Sequence, residues 1–156
     1  MKKAFVTLAV SLSVLFPLVA VSYGQGKVKT GPDPSTIRDA DLEKDSLHNL
    51  EVARHYFKLK KAYVAAIKRC EEVDAGNPTF ARMDEVLYIA GESSLRLAEN
   101  RGKQKTKEKT ADELRQDARL YLSRLVAGYP NSAFLKQAET DLQALGGPVK
   151  VESTTP

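Results

Sequence analysis

His48 and His55 are the only imidazoles in the chain, and they lie seven residues apart. On a helix that spacing is two turns, about 10 Å along the axis, too far for both rings to bind one metal ion. Glu51 stands one turn before His55, but a metal-dependent enzyme built on that pair would need a third ligand from a distant acid. No Gly-rich phosphate loop, G-x-S-x-G elbow or C-x-x-C pair occurs. The lone cysteine, Cys70, sits among apolar residues at helical spacing and reads as a small buried core residue, with a reactive thiol or an intermolecular disulfide as the alternative. Acidic residues are spread over polar helix faces. Asp84-Glu85 and Asp112-Glu113 fall in first helical turns, where they complement the helix dipole. The expectation is a non-catalytic protein with no metal and no cofactor.

The elements that carry these residues are helical. Residues 47–78 read as two short amphipathic helices, broken at Leu59-Lys60 and closed by Gly76-Asn77-Pro78. Leu47, Leu50, Ala53, Tyr56 and Phe57 form the stripe of the first, and Tyr63, Ala66, Ile67, Cys70 and Val73 that of the second. Counting Pro78 as position 32, Leu50, Phe57, Ala66 and Val73 fall at positions 4, 11, 20 and 27, the packing positions of a tetratricopeptide helix–turn–helix unit. A single such unit leaves an apolar face open, so more helices must follow. Phe80 to Asn100 reads as one long helix with Met83, Val86, Leu87, Ala90, Ser94, Leu97 and Ala98 on one face. Gly91 within it costs roughly 1 kcal/mol against alanine, a cost usually accepted for close helix approach. Thr110 and Glu113 form a capping-box pair that starts a fourth helix, with Leu114, Ala118, Tyr121, Leu122 and Leu125 as its stripe. A last helix capped at Asn131 or Ser132 turns Leu135, Ala138, Leu142 and Leu145 inward and stops at Gly146-Gly147-Pro148. Ala66 precedes Pro78 by 12 residues and Ala118 precedes Pro130 by 12, so the second and fourth helices are equivalent at an offset of 52. The fold expected is all-α, a short TPR-like α-solenoid of about five antiparallel helices over residues 37–146.

The flanks differ in kind. Residues 1–24 carry Lys2-Lys3, an apolar run from Ala4 to Leu15, Pro17 and small residues at Ser22 and Gly24, the pattern of a signal peptide cleaved before Gln25, with Ala20-Val21-Ser22 as a second cleavage zone. The alternative is a retained anchor, which Pro17 and several hydroxyl residues disfavour. No cysteine stands just after the cleavage site, so a lipoprotein is not expected. Residues 25–36 read as a flexible linker and 147–156 as a disordered tail. Thr36 is a candidate cap for a helix over Ile37–Asp45, unless that stretch merely extends the next helix. The net charge of +4 falls to 22 basic against 20 acidic residues once Lys2 and Lys3 are removed, too small a surplus to suggest nucleic acid. Much of it is concentrated in a basic insertion, 101–109, with Arg101, Lys103, Lys105, Lys107 and Lys109 against one acid. That insertion reads as a solvated loop, or as a docking site for an acidic surface such as anionic lipid or an acidic protein.

The segments ARHYFKLKKAYVAAIKRCEEV, DEVLYIAGESSLRLAEN and ARLYLSRLVAGYPNSAF resemble the repeats of the outer-membrane assembly factor BamD family and related exported tetratricopeptide-repeat proteins. The similarity covers roughly residues 46–146. With about two and a half repeats and no lipidated cysteine, the chain is expected to be a small relative or a stand-alone module. The resemblance implies a periplasmic or outer-membrane-associated scaffold that binds envelope proteins, and an accessory role in outer-membrane protein assembly or envelope maintenance. The first helix of each repeat would then line a partner groove, with Asn49, Arg54, His55 and Lys58 on one helix and Tyr88, Glu92 and Arg96 on the next. So few repeats should leave apolar edges exposed, which favours a homo-oligomer or docking on a larger partner. The alternative function is a membrane-surface adaptor that holds anionic lipid through its basic loop.

Overall fold

The computed structural model describes residues 39–150; the expected signal peptide (1–24), the linker (25–36) and residues 151–156 of the tail lie outside the described residues. The first helix, α1, spans Ala40–Arg54. Asp39 caps it, its Oδ1 accepting from the amides of Asp41 at 2.9 Å and Leu42 at 3.3 Å. The cap therefore falls three residues after Thr36, and the charged stretch to Asp45 is the start of α1 rather than a separate helix. From His55 to Lys60 α1 continues as a wider, π-helical turn that ends when Lys61 enters the left-handed region at φ 50°. There the amide of Ala62 reaches back to the Tyr56 carbonyl at 3.0 Å and closes the helix end.

Four more helices follow: α2 (Tyr63–Gly76), α3 (Met83–Ala98), α4 (Ala111–Gly128) and α5 (Leu135–Ala144). Each packs on its neighbours in the chain, and α3 lies at the centre between α2 and α4. The fold is all-α, short and helical-repeat-like. Its self-similarity extends to the backbone. Asn77 ends α2 at φ −145°, ψ 74° with its amide on the Val73 carbonyl, and Tyr129 ends α4 at φ −132°, ψ 65° with its amide on Leu125. The Phe80 amide then bonds to Asn77 O and the Met83 amide to Phe80 O; Ser132 to Tyr129 and Leu135 to Ser132 repeat both bonds at the same offset of 52. Thr110 and Glu113 form the expected capping box on α4.

The stripes of α2 and α4 are buried: Ala66, Cys70, Val73, Ala118, Leu122 and Leu125. Cys70 is a core residue, and its burial pushes the thiol far above its ordinary range. The central helix differs from the expected one-faced helix. Phe80 is buried but belongs to the turn before α3, and α3 itself buries residues all round, Glu85, Ile89, Gly91, Glu92 and Ser93 included. Helices at the edge are covered on one side only, which leaves Leu42 and Leu47 of α1 exposed. The stretch after α5 is tied to α4 at its start: Arg119 Nε donates to Gly147 O, and the Val149 amide bonds to Ser123 Oγ at 3.0 Å. Disorder from residue 147 is thus corrected for 147–149.

Candidate functional site

Glu85, Tyr88, Glu92 and Arg96 recur at three- and four-residue spacing and form one stripe along α3, turned away from the stripe that meets α4. Side chains from α1 and α5 meet this stripe and make a polar and aromatic seam. At one end Arg54 of α1 grips Glu85 with two parallel bonds, Nε to Oε1 at 2.5 Å and Nη2 to Oε2 at 2.7 Å. Arg82 adds a third at 2.7 Å. Burial alone would raise the Glu85 carboxyl, but the hydrogen bond and charge of Arg54, with Arg82 and Lys58 nearby, hold it below the ordinary carboxylate range.

In the middle, Tyr88 stacks on Phe134, at the threshold of α5, with ring centroids 4.6 Å apart and planes 16° from parallel. Beyond it Glu92, 6% exposed, receives Arg96 Nη2 at 2.6 Å and faces Asp141 of α5. Burial and the neighbouring Asp141 carboxylate raise Glu92 above its ordinary value despite the pull of Arg96. Asp141 Oδ2 is buried with no hydrogen-bond partner among the described residues, so this end of the seam holds two carboxyls close together with Arg96 as the one cation paired to them. Arg96 in turn lies over the Phe57 ring, 4.5 Å from its centroid, and 5.7 Å from that of Tyr63.

Of the groove residues expected from sequence, Arg54, Tyr88, Glu92 and Arg96 come together in this seam. His55 and Lys58 are exposed beside it on the last turns of α1. Asn49 does not join them; its Oδ1 accepts from Arg69 of α2 at 3.5 Å. Glu92 is corrected from a groove-lining residue to a buried one, because α5 closes over it. In the basic insertion, Arg101 pairs with Glu99 at 3.1 Å and Lys109 with Asp117 at 2.6 Å, while Lys103, Lys105 and Lys107 are exposed. Sequence reasoning missed Glu85, Phe134 and Asp141. Glu85 was legible in principle from its place in the stripe, whereas the partners on α5 depend on tertiary packing. A cleft of about 300 Å³ lies nearby between Asp84 and the α4–α5 turn, where Ser132 Oγ donates to Asp84 at 2.7 Å.

The seam can present guanidinium edges, an aromatic face and two exposed polar side chains to another molecule. Among the described residues no group of three or more His, Cys, Asp and Glu could hold a metal ion, and no helix is long and apolar enough to cross a membrane. No family model, curated protein or solved structure matches the chain.

Proposed function

We propose that the chain is a non-catalytic protein-interaction module of the cell envelope, a short tetratricopeptide-like scaffold exported by its signal peptide. The observation that carries this reading is the seam itself. Three alternate helices are joined on one face by Arg54–Glu85, Tyr88–Phe134 and Glu92–Asp141, so that face is fixed before any partner arrives. A preformed surface lowers the entropic cost of binding an extended segment or a helix. Glu85, the carboxylate at one end of the seam, is engaged by Arg54 and Arg82, an arrangement suited to recognition rather than bond-making. Repetition of the α2 and α4 closures supports the repeat reading, and the resemblance to the BamD family points to an accessory of outer-membrane protein assembly or envelope maintenance. Exposed Leu42 and Leu47 on α1 suit a larger partner or a second copy.

The test is a crosslinking pull-down from envelope fractions, read by mass spectrometry, with a His55→Ala/Lys58→Ala double variant alongside. The expected result is a defined set of envelope proteins, depleted by the variant. Outer-membrane assembly components in that set indicate the accessory role; other periplasmic proteins indicate a general adaptor. Retention of the protein in the cytoplasm, or a set unchanged by the variant, contradicts the reading.

A further inference from the structure

Two basic stretches distant in sequence meet at one end of the bundle. The turn between α1 and α2 carries Lys58, Lys60 and Lys61, and the loop between α3 and α4 carries Arg101, Lys103, Lys105, Lys107 and Lys109. They are joined by backbone: the Lys103 amide donates to the Lys61 carbonyl at 3.0 Å, and Gln104 Oε1 accepts from the Ala65 amide at 3.3 Å. Gly102, at φ 99°, lies so close to the Tyr63 ring and the Lys61 carbonyl that a β-carbon there would stand 2.6 Å and 2.7 Å from them. The loop is thus seated on the turn. Lys61 itself occupies the left-handed region that disfavours a residue with a β-carbon. At the tip of the turn, flanked in sequence by Lys58 and Lys60, Leu59 is 71% exposed, the most exposed large apolar side chain among the described residues.

The charge of the described chain divides accordingly. Residues 58–61 and 101–109 hold eight basic residues against the single acid Glu108, while the rest of 39–150 holds eleven basic against seventeen acidic. Seven of the eight are lysines, and the one arginine, Arg101, is already paired with Glu99. Recognition of individual carboxylates favours arginine forks, whereas a diffuse layer of headgroup charge is met by flexible lysine ammoniums. A protruding leucine among such lysines suits the boundary between headgroups and acyl chains.

We infer that this composite end, Lys60 and Lys61 with Lys103, Lys105 and Lys107 around Leu59, is a docking surface for an anionic lipid bilayer. It requires both stretches and lies at one end of the molecule, and the variants that test it leave His55 and Lys58 in place, so its failure is distinguishable from that of the protein partner proposed above. The test is co-sedimentation of the full chain with vesicles of phosphatidylcholine, with and without phosphatidylglycerol. Neutral vesicles report uptake through the apolar N-terminal run, and the lysine variants, which all keep Lys2 and Lys3, separate the charged end from the N-terminal lysines. Each lysine near the surface is worth about fivefold in affinity. Lys60→Ala/Lys61→Ala is therefore expected to weaken the phosphatidylglycerol-dependent binding about 25-fold, and Lys103→Ala/Lys105→Ala/Lys107→Ala about a hundredfold. Leu59→Asn weakens it further, and added salt weakens the wild type. All these side chains are exposed, and unchanged circular dichroism and melting check that the variants fold. Equal binding to both vesicle types overturns the inference, as does a Lys60/Lys61 variant that binds like the wild type. Absence of vesicle binding, with lysine-dependent binding to polyglutamate instead, also overturns it and assigns the surface to an acidic protein.

Discussion

At Gly91 a β-carbon would stand 2.7 Å from Cγ and 2.8 Å from Cδ2 of Leu122, itself fully buried on α4. The hydrogen that glycine has in place of a side chain is what lets α3 and α4 meet. Gly91→Ala gains roughly 1 kcal/mol of helix propensity. The overpacking it forces is expected to outweigh that gain, for a net loss of about 1–2 kcal/mol in chemical denaturation. A neutral or stabilising result would mean that Leu122 moves freely aside. Glu92 offers a second test at this scale. Burial and Asp141 hold its proton on above the ordinary carboxyl range, so the protonated form is the one the fold favours. That stabilisation is complete below the unfolded carboxyl value, about pH 4, and is lost as pH rises through the folded value. Glu92→Gln, which mimics the neutral acid, is expected to melt higher than the wild type at pH 7 and to match it at pH 3. A lower melting temperature at pH 7 would show that the Arg96 ion pair matters more than the repulsion from Asp141.

Between elements, α1 is held to α3 by Arg54 and Glu85. Arg54→Ala leaves a carboxylate with 8% side-chain exposure on a single remaining arginine, Arg82, and is expected to cost about 1–3 kcal/mol. Because Glu85 titrates below the ordinary carboxylate range, its contribution is present above about pH 4 and is lost as the pH falls through the folded value. Glu85→Gln should therefore lower stability at pH 7 and flatten the acid limb of the melting curve, as thermal scans across pH 2–7 can record. An acid limb as steep as that of the wild type would place the acid-sensitive contact elsewhere.

Much at the element scale was legible in the sequence because it is local. Thr110 and Glu113 mark a capping box within four residues, and the Ala66–Pro78 and Ala118–Pro130 intervals mark two equivalent helices that end in the same backbone geometry. What escaped is non-local. Glu85 read as a first-turn acid complementing the dipole, yet its main partner lies 31 residues away. Asp141 and Phe134 join the seam only because α5 folds back over α3, and no periodicity encodes that. The π-helical turn at His55–Lys60 likewise left no signal in a stripe that continues through Phe57.

For the molecule as a whole, the alternation of helices places α1, α3 and α5 so that their side chains bridge along one seam, while α2 and α4 form the opposite layer. Partner binding belongs to the first layer if the module is an interaction scaffold. Site-specific photo-crosslinking in cells tests this most directly, with the reactive residue placed at position 55 or 58 beside the seam and, for comparison, at position 72 on the exposed side of α2. A discrete adduct with an envelope protein is expected from positions 55 and 58 and none from position 72. Adducts from position 72 alone, or none from any of the three in cells that export the protein, would contradict it.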